Sequence, residues 1–372
     1  MFKSIRLFKL AGIPVYIHWT FFLLIGYVVI QGMIQAESTL QLIFEVLVLL
    51  SVFTCVTLHE YGHALTAKRF GINTQDIILS PIGGVARLNG LPEKPRQELL
   101  VAIAGPMVNV IIVGLIFLLV LIFYPGDSFN PEFDVIDKSN FLENYLFVMQ
   151  YINISLVLFN MVPAFPMDGG RILRSLLAMK FGRVKATRAA AFIGQGIAVI
   201  FILSAIMKYP IFGRPVSSVE QFTLSIIGLF VFSMARAELN NVIAEDILQG
   251  TKAIDIMVKQ FTHLYDTDQI EYAINRYTAG IERDFLVFDQ SDNCIGTLKN
   301  EIIHFLLSRH LTGSVYSYYS PLEITLRSDD TLKVMAQKTS RSSDQVYPVI
   351  EDNRVIGVVH RIDIEKKLKG IQ

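Results

Sequence analysis

The chain has 372 residues, with 33 Lys and Arg against 33 Asp and Glu, so its formal net charge is zero. Hydrophobic residues make up 52% and charged residues 18%, where an ordinary soluble domain carries about 25% charge; mean hydropathy is +0.47. Disorder and a collagen-like fibre are excluded, bulk charge gives no ground for nucleic-acid binding, and two cysteines, Cys55 and Cys294, cannot build a disulfide framework or a thiolate metal site.

The charge is unevenly spread. Residues 1–236 hold 31 charged side chains, and the remaining 136 residues hold 35. The first part reads as a membrane body and the second as a globular domain. Six runs approach the roughly 20 apolar residues that a spanning helix needs: 15–33, 40–67, 99–124, 145–162, 189–207 and 222–235. The first follows Lys3, Arg6 and Lys9. It is long and lacks a small-residue cleavage site, so it reads as a retained span. Next to it, His18 and Trp19 read as an interfacial belt pair.

The second run carries Leu58-His59-Glu60-Tyr61-Gly62-His63, an H-E-x-x-H pattern. On a helix, residues four apart share a face, so both imidazoles can reach one ion and Glu60 can take a proton from a water beside it. Three polar residues inside an apolar run are functional candidates by default. The competing reading is a pair of interfacial histidines facing headgroups, which leaves Glu60 unexplained. Residues 77–90 are apolar yet too short to span, and Pro81, Gly83 and Gly84 break any helix. A re-entrant hairpin fits, as does a loop lying on the bilayer. A strand edge there could hold an extended peptide by β-augmentation.

A catalytic zinc takes three protein ligands and an open position, and the histidines at 263, 304, 310 and 360 all fall in the charged part. Asp168 is the natural third ligand. It lies in Asn160-Met161-Val162-Pro163-Ala164-Phe165-Pro166-Met167-Asp168-Gly169-Gly170, where prolines end the fourth run and glycines allow close backbone approach. The other reading of Asp168 is an N-cap for the helix predicted over 171–180.

Lys and Arg set orientation. They gather at the N-terminus, at Lys68 and Arg69, at Arg87, Lys94 and Arg96, at 171–188 and at Arg236, whereas 125–144 is acidic and only the loop with Lys208 and Arg214 runs contrary. Six spans with both termini in the cytoplasm follow. Spans two and four then run in the same direction, which brings His59, His63 and Asp168 to one depth.

H-E-x-x-H together with N-x-x-P-x-x-P-x-D-G-G resembles the site-2 protease family of intramembrane zinc metalloproteases. Met167 stands where that motif usually has Leu. Ala104-Gly105-Pro106-Met107-Val108-Asn109 resembles the family's A-G-P-x-x-N segment. The resemblance implies one Zn2+ per chain held by His59, His63 and Asp168, with Glu60 as general base and Asn160 contacting substrate or oxyanion. The competing reading of Asn160 is a hydrogen bond within the helix bundle. The implied substrate is a membrane-tethered protein of the anti-sigma factor, pro-protein or signal-peptide-remnant class, cut in a prokaryotic plasma membrane. The competing functions are a transporter or channel, which would want ionisable groups spread over several spans, and a non-catalytic scaffold, which has no use for Glu60.

In the C-terminal part, Phe285–Asp289 through Gly296 resembles Tyr347–Glu351 through Gly357, and each strand pair lies between helical patterns. This repeated β-α-β-β-α unit resembles a pair of cystathionine-β-synthase (CBS) domains. The resemblance implies a cytoplasmic regulatory module that can bind an adenine nucleotide and can join two chains in a homodimer. Of the usual ribose-binding pattern, the second repeat keeps Asp363 but has His360 in place of the hydroxyl, and the first has Ile302 in place of Asp. A purely structural module therefore stands beside a ligand sensor. The expected architecture is an α-helical polytopic membrane protein with an α/β CBS-pair domain. The expected divisions are a metalloprotease domain over 1–236, a linker over 237–249, and CBS repeats over 250–311 and 312–372.

Overall fold

A computed structural model describes residues 4–35, 38–81, 83–90, 92, 94–124, 141–207 and 217–370. Most of the acidic 125–144 stretch, together with Lys208 and Arg214, lies outside them. The chain divides into two units, Met1–Asn240 and Asn241–Gln372.

In the first unit, strands β1 (Ser4–Leu10) and β2 (Ile13–His18) form a hairpin turned at Ala11 and Gly12, which both have positive φ. Helices α1 (Thr20–Ile34) and α2 (Thr39–Arg69) follow, then strands β3 (Thr74–Ser80) and β4 (Gly83–Leu88). The four strands make one sheet in the order β1-β2-β3-β4, in which β2 and β3 run parallel and the outer pairs antiparallel. The first apolar run is therefore split. Residues 13–18 alternate buried Ile13, Val15 and Ile17 with half-exposed partners, which is the period of a strand, and the helix starts only at Thr20. The described residues of the 77–90 stretch fall in a hairpin of β3 and β4. Ile13, Val15, Ile17, Ile77 and Leu79 pack with Phe53, Tyr61 and Ala64 of α2 into one core.

Helices α3 (Pro95–Phe123), α4 (Phe141–Asn160), α5 (Asp168–Phe181), α6 (Arg183–Met207) and α7 (Ser218–Gly250) complete this part of the chain. Among the described residues, α2, α3, α4, α6 and α7 are long and apolar enough to cross a membrane. The 15-residue α1 is a sixth, shorter apolar helix, about 22 Å long at 1.5 Å per residue. The protein is a multi-pass membrane protein.

The second unit contains the sequence repeat as two sheets. β5 (His263–Tyr265), α9 (Ile270–Thr278), β6 (Phe285–Phe288), β7 (Cys294–Leu298) and α10 (Asn300–Arg309) form one copy. β9 (Leu326–Arg327), α11 (Leu332–Thr339), β10 (Val346–Glu351), β11 (Arg354–His360) and α12 (Arg361–Lys369) form the other. The short α8 (Ala253–Ile256) precedes the first copy, and β8 (Ser320–Pro321) adds to β7. In both copies the first strand joins the second in parallel and the next two form an antiparallel pair. The repeated glycines occupy equivalent positions, Gly296 opposite Val287 and Gly357 opposite Val349. A side chain there would strike Ser320 O at 2.3 Å or Val258 O at 2.9 Å. Ala253 packs in the core of the second copy, beside Leu332, Tyr347 and Val359.

Candidate active site

Helix α2 carries the H-E-x-x-H residues on its buried side, and His59 and His63 are both buried. Their rings stand edge to face with centroids 4.8 Å apart. Asp168 opens α5. Its neighbour Met167 is the N-cap, so Asp168 is the first helical residue rather than the cap. Its negative charge suits the positive end of the helix dipole. Its Oδ2 lies 3.1 Å from Nε2 of each histidine, and the two Nε2 atoms are themselves 3.1 Å apart. Gly169 and Gly170 allow this. A Cβ on Gly169 would stand 2.3 Å from Val162 O, and one on Gly170 would stand 2.7 Å from Ala164 C.

This donor triangle fits a zinc ion. A tetrahedral Zn2+ with bonds of about 2.0–2.1 Å keeps its ligands about 3.3 Å apart, close to the edges found. Both imidazoles are also oriented for it. His63 Nδ1 lies 2.7 Å from Val101 O, which only accepts, so Nδ1 donates and Nε2 keeps its lone pair. His59 Nδ1 lies 2.6 Å from Asn109 Oδ1. Asn109 Nδ2 in turn donates to Asn153 Oδ1 at 2.9 Å, and Asn153 Nδ2 donates to Met149 O at 2.8 Å. The chain of amides fixes the direction of Asn109 and hence the tautomer of His59. Among the described residues, these three are the single His/Cys/Asp/Glu group whose ligand atoms all converge, within 4.8 Å of one another.

Glu60 is held from the sheet. Ala86 N donates to its Oε2 at 3.1 Å, and a Cβ on Gly84 would stand 2.9 Å from its Cγ. Strand β4 thus covers the carboxylate. Asn160 is placed otherwise. Its Nδ2 donates to Leu156 O at 3.0 Å, one turn back on its own helix.

Sequence reasoning missed the roles of Val101, Asn109, Asn153 and Ala86. Asn153 did leave a signal, as an amide in the middle of an apolar run. Backbone partners such as Val101 O and Ala86 N leave none.

A membrane-embedded H-E-x-x-H centre completed by an aspartate defines an intramembrane metalloprotease, and comparison with known proteins agrees. The sequence profile of peptidase family M50 matches residues 47–141 and 134–204, and that of the CBS domain matches 319–370. A zinc metalloprotease of Methanocaldococcus jannaschii is 32% identical over 371 residues, covering 99% of this chain and 97% of its own. Stage IV sporulation protein FB of Bacillus subtilis is 29% identical over 141 residues, 38% of this chain and 43% of its own. The solved structure of a site-2 protease from Methanocaldococcus jannaschii is 33% identical, covers 64% of this chain and 95% of that one, and gives a TM-score of 0.44. The chain belongs to peptidase family M50, the site-2 proteases, and carries CBS domains. It is an intramembrane zinc metalloprotease, which removes the transporter and scaffold readings.

Gly105 of α3 faces the histidines, and a Cβ there would stand 2.2 Å from His63 Nε2 and 2.7 Å from His59 Nε2. Gly105→Ala is therefore expected to weaken zinc binding tenfold or more. Chelator competition checks this, with circular dichroism showing unchanged helix content.

Proposed function

We propose that the chain cuts a peptide bond in or near the membrane segment of a membrane-tethered protein, using one zinc held by His59, His63 and Asp168. The observation that carries this reading is the triangle of three buried donor atoms 3.1 Å apart. When bound, zinc supplies Lewis-acid polarisation of a carbonyl and acidifies water.

Asn109 Oδ1 and Val101 O hold the imidazole protons away from the metal side. Glu60, oriented by the Ala86 N–H, takes a proton from the attacking water and returns it to the leaving amide nitrogen as the C–N bond breaks. Asn160 supplies an oxyanion donor once its amide leaves Leu156 O.

One zinc per wild-type chain is expected, with none in His63→Ala or Asp168→Ala. Glu60→Gln is expected to keep its zinc and lose cleavage by a factor of at least about 10². Metal analysis and a cleavage assay on a membrane-tethered reporter check both. Zinc retained in Asp168→Ala would reject the ligand set.

A helical substrate has its carbonyls already bonded and must unwind to be cut. Strand β4 ends the sheet and lies beside Glu60, so it supports the β-augmentation reading. Ile78 and Leu79 pair on both sides, with β2 and with β4; prolines there would break the sheet itself and test nothing about substrate. The better probe is Val85, 58% exposed on β4. A photocrosslinker at Val85 in the Glu60→Gln background is expected to capture the reporter, and failure to do so would reject augmentation.

Within the second unit, a cavity of about 910 Å³ is lined by Thr262, Arg276, Asp284, Lys299, Ser343 and His360, among others. Burial pushes the Asp284 carboxyl up. A cavity of this size with Lys259, Arg276, Arg283 and Lys299 in its wall suits the charged phosphates of an adenine nucleotide. The lysines and arginines at 68–69 and 87–96 support a plasma-membrane topology with both termini in the cytoplasm. An azido-ATP photolabel is expected to mark the second unit in inverted membrane vesicles and not in right-side-out ones. No label at all would reject the nucleotide, and label from outside alone would reject the topology.

The domain division follows the composition: a membrane metalloprotease domain over 1–236, a linker over 237–249, and CBS repeats over 250–311 and 312–372. The linker so drawn is helical, since α7 runs on to Gly250; two separate melting transitions in the full-length protein would support the division, and a single one would reject it.

A further inference from the structure

Arg174 stands first among the large, fully buried side chains of the described residues, and the reaction described above makes no use of it. It lies on α5, six residues after Asp168, about 9 Å along the helix. Its Nε donates to Glu98 Oε1 at 2.8 Å, its Nη2 bonds the same oxygen, and its Nη1 bonds Glu238 Oε1. Arg174 has no side-chain exposure, Glu98 has 5% and Glu238 26%. The guanidinium also lies over the ring of Phe165, 5.0 Å from its centroid, in the segment that leads into Asp168.

The partner helix gives this clamp its meaning. Glu98, Val101, Gly105 and Asn109 follow one another on α3 at spacings of three and four, so they form a single stripe. Val101 O orients His63, Gly105 lies against both imidazoles, and Asn109 orients His59. Glu98 is the first residue of that stripe, and it holds the helix that carries Asp168. The Glu98–Arg174 bond therefore sets the axial and rotational register of α5 against the helix that fixes both histidines. Stability alone is a weak reason for so costly an arrangement, because apolar residues of similar volume often replace a buried ion pair or triad without loss. A planar guanidinium that bonds two carboxylates from two helices does define one geometry.

We propose that Arg174, held by Glu98 and Glu238, is a positioning residue that aligns Asp168 with His59 and His63 to close the metal-binding triangle. The inference rests on the ligand set proposed above. It differs from a structural role in a measurable way: its loss should alter coordination more than it alters folding.

The test uses the full-length protein in detergent and reads zinc affinity by chelator competition and the visible absorption spectrum of the Co2+-substituted protein. Arg174→Lys keeps the charge and loses the fork. It is expected to raise the zinc dissociation constant about tenfold or more and to change the Co2+ bands, while the melting temperature moves by only a few degrees. The triple variant Glu98→Leu, Arg174→Met, Glu238→Leu removes every buried charge of the clamp and is expected to fold and to show the same loss. Wild-type affinity and wild-type Co2+ bands in Arg174→Lys would overturn the proposal, as would a loss of affinity that merely tracks unfolding. Should the triple variant not fold, Arg174→Lys decides alone. A wild-type protein that binds no zinc would instead defeat the ligand set, which keeps the two failures apart.

Discussion

Helices α2 and α3 approach so closely that a Cβ on Gly62 would stand 2.6 Å from Ala104 O. From this one approach the rest of the centre follows. Gly62 lies within the H-E-x-x-H pattern and Gly105 begins the G-P-x-x-N stretch, so each helix is narrowed where the other passes. The two imidazoles then have only the space above Gly105 to occupy, with their Nδ1 atoms against α3 and their Nε2 atoms turned together. Where helices pack so tightly, α3 can present a main-chain carbonyl as an acceptor, a role no side chain could fill in the same space.

The second constraint is the cost of polarity away from water. An unpaired amide or imidazole in an apolar surrounding loses a hydrogen bond without compensation. The run from His59 through Asn109 and Asn153 to Met149 O meets that demand link by link across α2, α3 and α4. It also means that neither imidazole turns freely. Rotation of His59 would orphan the Asn109 carbonyl on the next helix, and rotation of His63 would lose Val101 O. Rigidity of this kind is what a preorganised centre requires.

Much of this was legible in the sequence because the chemistry is costly where it stands. His59, Glu60 and His63 interrupt an apolar run, and Asp168 follows two prolines, so their types and spacing survive any repacking. The topology inferred from charge placed Asp168 at the depth of the histidines, and the structure brings its Oδ2 to both Nε2 atoms. Three things were hidden. The first apolar run carries two periods, that of a strand up to His18 and that of a helix from Thr20, and mean apolarity cannot separate them. Arg174 was counted with the cytoplasmic loop charges, yet it is fully buried; counting charge along a chain cannot see that Glu98, 76 residues earlier, lies against it. Asn160 matches its motif, and its amide bonds its own helix, because side-chain direction is set by packing rather than by motif.

In the proposed ligand set, Asp168 stands 105 and 109 residues along the chain from the two histidines. A ribosome adds about 5–20 residues per second, so several seconds pass between the synthesis of the paired histidines and that of Asp168. During that interval the nascent chain offers a half-formed chelate with two nitrogen donors and no carboxylate. On the proposed ligand set, the site is complete only once α5 has folded against α3. A chain truncated before Asp168 would then lack the carboxylate that closes the triangle, so hydrolytic power would come only with the completed fold.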